Sequence, residues 1–391
     1  MAGSLRAFAE FRVRLSVGLR RRIAAMISRI HRIVLIGLAF CLSNSSGFSG
    51  ESPTNDWDRL KVPSPKGYVC YRAMERLQID GDLAELAWEN APWTDEFADI
   101  EGALKPKPRF RTRAKMLWDD EYFYIGAELE EPHVQATLTQ HDSVIFRDND
   151  FEVFIDPNGD NHEYYEIEIN ALNAEWDLFL NIPYKDGGTA QNEWEIPGLK
   201  SAVHIQGTLN NPRDVDQGWS VEMAIPWRVL AQYARRPAPP QHGDQWRINF
   251  SRVEWRSDVV ENRYRKMPNQ KEDNWVWSPQ GLIDMHRPEK WGSVQFSTDL
   301  PGQTSLRPDP AARIRDLLME FYYAQRAFHA RHKRWARSRE EVGWESSGSD
   351  ATPLPSLRIT KDGFVATADF KLPSGQSERW SITQESRLRK E

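Results

Sequence analysis

The chain has 391 residues, of which 40% are hydrophobic and 11% aromatic, with 16 Trp, two Cys and a formal net charge of −6. That length suits a main domain with an appendage, and the acidic balance argues against nucleic acid and strongly anionic polysaccharides as partners. So many tryptophans in a polar chain serve either as core fillers or as recognition platforms.

Arg20, Arg21, Arg22, Arg29 and Arg32 precede an apolar run from Ile33 to Leu42, and small residues follow from Ser43 to Gly50. These are the regions of a secretory signal peptide, and the apolar run is too short to span a bilayer. Residues 1–50 are therefore expected to be a signal peptide with an N-terminal extension, Met26 being an alternative start. The expected destination is secreted, periplasmic or cell-surface, with no transmembrane span in the mature protein. Leu38-Ala-Phe-Cys41 departs from a lipoprotein acylation site at Phe40, where a small residue is needed. Cleavage near Gly47 would remove Cys41, eight Arg and one Glu, leaving a charge of about −13. Cys70 would then stand alone, without an intrachain disulfide. N-terminal sequencing of the mature protein should begin between Asn44 and Glu51, and cytoplasmic protein that keeps Met1 or Met26 would refute export.

Residues 51–67 hold Pro53, Pro63, Pro65 and Gly67 among polar residues and read as a linker. A β-sandwich is expected over 68–298, where short β-patterned runs recur between turn signals at 114–118, 122–129, 151–155, 164–170, 176–181, 201–208, 218–225, 245–254 and 293–296. Two short helices are predicted at 82–88 and 226–233, the second opened by Pro226. Residues 299–391 form a second, α+β unit of unassigned role. There Asp309 can cap a helix starting at Pro310, with Ile314, Leu317, Leu318, Phe321, Phe328 and Trp335 on one stripe. Runs at 357–360, 364–370 and 380–383 alternate as a three-stranded meander, turned at Asp362-Gly363. The expected fold is mainly β: an antiparallel sandwich of jelly-roll type followed by a long helix and this meander.

The most informative segment is the hairpin around Asp156-Pro-Asn-Gly-Asp-Asn-His162. Alternation puts Phe151, Val153, Ile155, Tyr165, Ile167 and Ile169 on one face and Glu152, Glu166, Glu168 and Asn170 on the other. Carboxylates and an amide beside aromatic rings suit a neutral polyol, whose hydroxyls want paired acceptors and donors while its C–H face wants a ring. A solvated outer sheet face reads from the same residues.

Five separated segments then carry a resemblance. Ile79-Asp-Gly-Asp-Leu-Ala-Glu-Leu-Ala-Trp88, Leu117-Trp-Asp-Asp-Glu-Tyr-Phe-Tyr-Ile-Gly126, Asp150-Phe-Glu-Val-Phe-Ile-Asp156, Gly218-Trp-Ser-Val-Glu-Met-Ala-Ile-Pro-Trp227 and Pro288-Glu-Lys-Trp-Gly292 occur in the order seen in family 9 carbohydrate-binding modules. The region that resembles the family spans roughly 70–298. The resemblance implies a DOMON-like β-sandwich that binds sugars without transforming them, often beside xylanases and other secreted glycoside hydrolases, with xylan, cellulose or a related glycan as ligand. It also implies a site. The family's hydroxyl-binding acid falls on Glu152 and its amide on Asn170, while Glu168 stands where familiar members carry a basic residue. One clamp aromatic maps to Phe146, and the other falls where this chain has Met285 and His286.

Other chemistry is also readable. Paired carboxylates among Asp150, Glu152, Glu166 and Glu168 would suit a glycoside hydrolase. Asp156, Asn158 and Asp160 alternate like the oxygen ligands of a structural Ca²⁺ loop, or like an ordinary Asx-rich turn. Met285, His286, His141 and His162 are the residues a haem-binding DOMON-like relative would use, though no Cys-x-x-Cys-His attachment site is present.

Overall fold

Each of the nine predicted β runs becomes a strand, because alternation gives each an apolar face to bury. The structure, a computed structural model, describes residues 54–343, 354–372 and 374–391. The expected signal peptide lies outside them. Chain order begins with helix α1 (Thr54–Leu60), strand β1 (Gly67–Arg72), helix α2 (Leu86–Asn90), β2 (Ala98–Asp99), β3 (Thr112–Trp118) and β4 (Tyr122–Glu130). Next come β5 (Asp150–Asp156), β6 (Tyr164–Asn170), β7 (Glu175–Leu180), β8 (Ala190–Gln191), β9 (Lys200–Gln206), β10 (Gly218–Pro226) and helix α3 (Trp227–Ala234). The β region closes with β11 (Gln245–Glu254), the hairpin β12 (Ser257–Val260) and β13 (Arg263–Lys266), β14 (Asp273–Val276) and β15 (Gly292–Ser297).

Among the described residues, 13 of these strands form one sheet in the order β8-β7-β6-β5-β11-β15-β1-β3-β4-β10-β9, with β14 paired to β11 and β2 to β14. The sheet folds over itself. Phe151, Val153, Ile155, Ile167 and Ile169 from β5 and β6 share one core with Met116, Ile125, Val221 and Met223 from β3, β4 and β10. The expected sandwich is therefore a single curled sheet, mostly antiparallel. Its exception is β1, parallel to both β15 and β3.

The residues that carry the resemblance mostly hold this scaffold together. The buried Glu222 carboxylate on β10 accepts from Asp80 N (2.9 Å), Gly81 N (2.8 Å) and Trp88 Nε1 (2.6 Å), so the first and fourth motifs meet at one side chain. Gly81 sits at φ +89°, where a Cβ would lie 2.6 Å from the His204 backbone nitrogen; only glycine fits this turn. Asp119 Oδ1 accepts from Glu121 N and Tyr122 N, both at 2.7 Å, shaping the β3–β4 turn, and Trp227 Nε1 donates to Asp119 O at 2.8 Å. Pro226 is the N-cap residue of α3 and not its first helical residue, so the helix begins one position later than predicted.

The C-terminal region has helix α4 (Ala312–His332), then β16 (Ser356–Ile359), β17 (Phe364–Lys371), β18 (Ser377–Thr383) and β19 (Leu388–Lys390) in an antiparallel sheet of four strands. The predicted three-stranded meander gains β19, whose short run of Leu388-Arg-Lys has too few residues to alternate visibly. The helix starts two residues after Pro310. Asp309 Oδ1 accepts from Ala311 N at 2.9 Å, so the aspartate shapes the entry turn and not the first helical turn.

The segment read as a linker, 51–67, is different in its described part. Trp57 and Leu60 of α1 are buried with Tyr322, Tyr323, Phe364 and Ile382, and the Trp57 ring stacks on Tyr323 at 5.7 Å. The prolines around it read as a linker, yet the two apolar residues fix it to α4. Pro53–Glu391 forms one compact unit, so α4 and its sheet are docked on the β region.

Candidate functional site

Strand pairing sets the geometry of the acidic face. Glu152 of β5 lies opposite Glu168 of β6, Phe154 opposite Glu166, and Asp150 opposite Asn170. On the next strands, Trp176 and Leu178 of β7 stand beside Glu168 and Glu166, while Ser251 and Val253 of β11 stand beside Glu152 and Asp150. Period-2 alternation puts all of them on one face. The acids are withdrawn from bulk water: Asp150, Glu152, Glu166 and Glu168 are all buried.

Burial disfavours their charged forms. It pushes Glu152 up to about 7 and raises Asp150, Glu166 and Glu168 well above the usual carboxylate range, with the Glu152 charge as the next cause for each. Carboxylate oxygens of Asp150, Glu152 and Glu168 all lie within 4.8 Å of one another. Asp150 Oδ1 accepts from Val253 N at 3.2 Å, while its Oδ2 has no hydrogen-bond partner among the described residues.

Aromatic residues border this floor. Phe146 sits in a single 3₁₀ turn (Ile145–Arg147), where its N–H donates to Glu168 Oε2 at 2.9 Å and its carbonyl accepts from Trp255 Nε1 at 2.8 Å. Phe146 is 37% exposed as a residue, and its ring lies 6.3 Å from the Trp176 ring, tilted by 30°. Lys266 Nζ rests over the Trp255 ring at 3.5 Å. Beside Trp255 is a small open hollow lined also by Thr137, Asp148, Asn149 and Lys266.

Asn170 has another occupation. Its Nδ2 donates to Leu138 O (2.9 Å) and Asp148 Oδ2 (3.1 Å), and its Oδ1 accepts from Leu172 N (3.0 Å) and Ala174 N (3.1 Å). The full capacity of the amide is used, and it anchors the loop that presents Phe146.

Met285 and His286 lie further along the same face, against the Phe154 and Tyr164 level. Met285 is buried with Phe154, Tyr164 and Trp291. His286 Nδ1 is 3.0 Å from Tyr164 Oη, and its ring meets Tyr184 edge-on at 4.3 Å. Burial pushes this imidazole down to about 4, which keeps it neutral. The structure thus brings together Glu152, Glu168 and Phe146, and sets Met285 and His286 further along the same two strands, beside Phe154 and Tyr164. Sequence reasoning passed over Trp176, Trp255 and Tyr184. Continuing the alternation of β11 from Ser251 reaches Trp255, and the β6–β7 register places Trp176; that signal needs pairing, which no single strand contains.

The hairpin turn read as a calcium loop has its oxygens in use. Asp156 accepts from Gly159 N (2.8 Å) and Asn161 N (3.0 Å), Asn158 from Asp160 N (2.8 Å), and Asp160 from His162 N (2.9 Å) and Arg387 Nε (3.1 Å). It is an Asx turn that docks the C-terminal sheet. Adding Ca²⁺ to metal-free protein should leave the melting temperature unchanged. Asp160→Ala, which deprives Arg387 of a charged partner, should cost about 1–2 kcal/mol in denaturant unfolding.

The histidines weighed as haem ligands are dispersed. His162 Nε2 pairs with Glu385 O at 2.6 Å at the hairpin end of β6. His141 lies at the opposite end, where the Asp142 N–H meets Glu175 O at 3.0 Å. His286 and Met285 are packed as described above, while His141 and His162 lie at opposite ends of the hairpin from each other and His286 is held by Tyr164. Among the described residues, no helix is long and apolar enough to cross a membrane.

Comparison with known proteins matches residues 79–297 to the model of a family described as carbohydrate family 9 binding domain-like. An exoglucanase, XynX, of Acetivibrio thermocellus is 30% identical over 117 residues, 30% of this chain and 9% of that protein. An endo-1,4-beta-xylanase A of Thermoanaerobacterium saccharolyticum is 30% identical over 116 residues, 30% of this chain and 8% of its own length. The matched part is thus a small fraction of each relative. Among solved structures, a family 9 module from Caldicellulosiruptor kristjanssonii in complex with cellotriose covers 62% of this chain and 100% of its own, at 15% identity and a TM-score of 0.40. A protein from Bacteroides uniformis described as carbohydrate-binding covers 60% and 100%, at 18% identity and a TM-score of 0.43.

Proposed function

The chain belongs to the family 9 carbohydrate-binding modules, and from that premise we propose that it is a secreted, non-catalytic protein. Its ligands are plant-type or algal polysaccharides or their oligosaccharides, held at the acidic face to support their breakdown by secreted glycoside hydrolases. The observation that carries this reading is the buried pair Glu152 and Glu168 with half-exposed Phe146 and Trp176 along one border. Glu152 and Glu168 accept sugar hydroxyls, Phe146 and Trp176 cover a pyranose face, and His286 with Tyr184 borders the opposite end. Asn170 acts through the loop it anchors. Glu166 adds a further acceptor.

Stacking one pyranose face on a ring removes on the order of 50 Å² from water, about 1–1.5 kcal/mol. A hydroxyl bonded to a protonated carboxyl adds about 0.5–1.5 kcal/mol, and one bonded to an ionised carboxylate about 1.5–3 kcal/mol. The sum corresponds to micromolar to millimolar affinity, which suits capture. A hydrolase reading fits less well. Its carboxyl groups stand about 5–5.5 Å apart, or wider, on either side of a scissile bond, whereas here three acids have oxygens within 4.8 Å on one sheet face.

A glycan array probed with the full chain, followed by calorimetric titration with cello- and xylo-oligosaccharides, tests the proposal. The expected result is saturable binding with no new reducing ends from xylan, cellulose or aryl-glycosides. Absence of binding to every neutral glycan, or turnover that vanishes in Glu152→Gln, would overturn it.

A further inference from the structure

We propose a second site, outside the acidic face, that takes a divalent transition-metal ion of the zinc class at His141, Asp142, Asp177 and Glu195. These residues come from three places: the loop between β4 and β5, strand β7, and the loop before β9. His141 Nε2 lies 3.2 Å from Glu195 Oε2, 3.5 Å from Asp142 Oδ1 and 3.6 Å from Asp177 Oδ1. Ligand atoms bound tetrahedrally at about 2.0–2.1 Å stand roughly 3.3–3.4 Å apart; His141, Asp142 and Asp177 each bring a ligand atom within 4.8 Å of the others, and Glu195, whose side chain is 56% exposed, is the fourth ligand that closes on the ion when it binds. One imidazole with three carboxylates is a donor set that zinc accepts.

Asp177 supplies the independent observation. It is 1% exposed, and its Oδ2 accepts from Ile196 N at 2.6 Å, while its Oδ1 has no hydrogen-bond partner among the described residues. A plain ion pair leaves that oxygen unsatisfied. A protonated Nε2 has one hydrogen to donate, which serves Glu195 at 3.2 Å, whereas a cation serves every oxygen at once. The Ile196 N–H acts as the outer-shell contact that orients a ligating carboxylate. His141, Asp142 and Glu195 are partly exposed, which leaves an entry path.

The test uses the full chain, stripped with chelator and desalted, titrated with Zn²⁺ by calorimetry and with Co²⁺ by visible absorption. The expected result is one Zn²⁺ per chain that depends on these residues, and intense visible Co²⁺ bands of a tetrahedral ion. Affinity should fall at least about 10-fold in His141→Gln and in Glu195→Gln; both residues are largely exposed, so these variants keep the fold, which a melt checks. Asp177→Asn should lose binding as well. A wild-type chain that binds no Zn²⁺, or binds it equally in His141→Gln and Glu195→Gln, overturns the proposal.

Discussion

Glu152→Gln should make the protein more stable at pH 7.5 by about 3 kcal/mol while weakening its hold on sugar. Burial lifts the Glu152 carboxyl from its ordinary 4.5 to about 7 in the folded state. A raised folded pKa means that the native state binds the proton more tightly than the unfolded chain does. The associated stability is fully present below about 4.5 and is lost as pH rises to about 7. A shift of that size corresponds to about 3 kcal/mol, and glutamine removes the titration altogether. Asp150, Glu166 and Glu168 push in the same direction. Wild type should therefore be more stable at pH 5 than at pH 7.5. At the acid end the opposite sign takes over. Asp186, lowered on balance by the Lys185 charge against burial, and Asp284, lowered on balance by the Arg287 charge, contribute stability above about 3.8 that is lost as pH falls further. Denaturant unfolding at both pH values, with a sugar titration of the same samples, is the check. If Glu152→Gln shows no stability gain at pH 7.5, the carboxylate is solvated in a way its burial denies. If the gain appears without loss of affinity, the acid is a scaffold residue and the ligand sits elsewhere on the face. A gain in stability coupled to a loss in binding is the signature of a strained binding residue.

The fold was legible because its main determinants are local. Alternation from Phe151 to Ile155 and from Tyr165 to Ile169 needs only the neighbouring residues to be read, and both strands appear where expected. The family motifs were legible for a related reason: several are structural knots, such as Glu222 accepting from Asp80, Gly81 and Trp88. That same property limits what they reveal about the ligand. The third motif alone runs through the acidic face. There the sequence fixes which acids share a side, while the aromatic border depends on register between strands and on a loop pinned by Asn170 and Asp148. Trp176 and Trp255 are invisible to a single-strand reading for that reason. The turn at Asp156–Asp160 had two readings for a different reason. Alternating oxygens serve a metal or backbone N–H groups equally well on paper, and the distant Arg387 decides between them. Likewise the prolines near α1 implied an extended linker, because the partner that buries Trp57 lies in a helix more than 250 residues later.

That long-range docking yields the other large effect: a chain ending at Thr298 should fail to reach a stable fold, and Tyr323→Phe in the intact chain should cost about 2–3 kcal/mol. Tyr323 is buried, its hydroxyl donating to Glu289 Oε1 at 2.5 Å and accepting from Arg287 Nη1 at 2.7 Å. Arg287 is held further by Asp284 Oδ2 at 2.6 Å. Removing the hydroxyl leaves two buried ionic groups short of a partner, and such loss costs more than the bond's net worth. Truncation does this many times over. Asp186 would lose Tyr322, Arg326 and Ser386, Asn161 would lose the Ser386 carbonyl, and Asp160 and Glu163 would lose Arg387. The apolar cluster around Trp57, Leu60 and Leu282 would face water without Leu318, Phe321 and Tyr322, at about 1.5–3 kcal/mol for each large side chain uncovered. Since domains carry only about 5–15 kcal/mol of net stability, the combined loss exceeds what the β region can spare. Circular dichroism and thermal melts of the truncated chain, beside Tyr323→Phe and wild type, decide it. A soluble, cooperatively melting product of residues 54–298 with sugar affinity intact would mean that the C-terminal helix and sheet are a passenger, and that Tyr323 closes an interface the β region does not need.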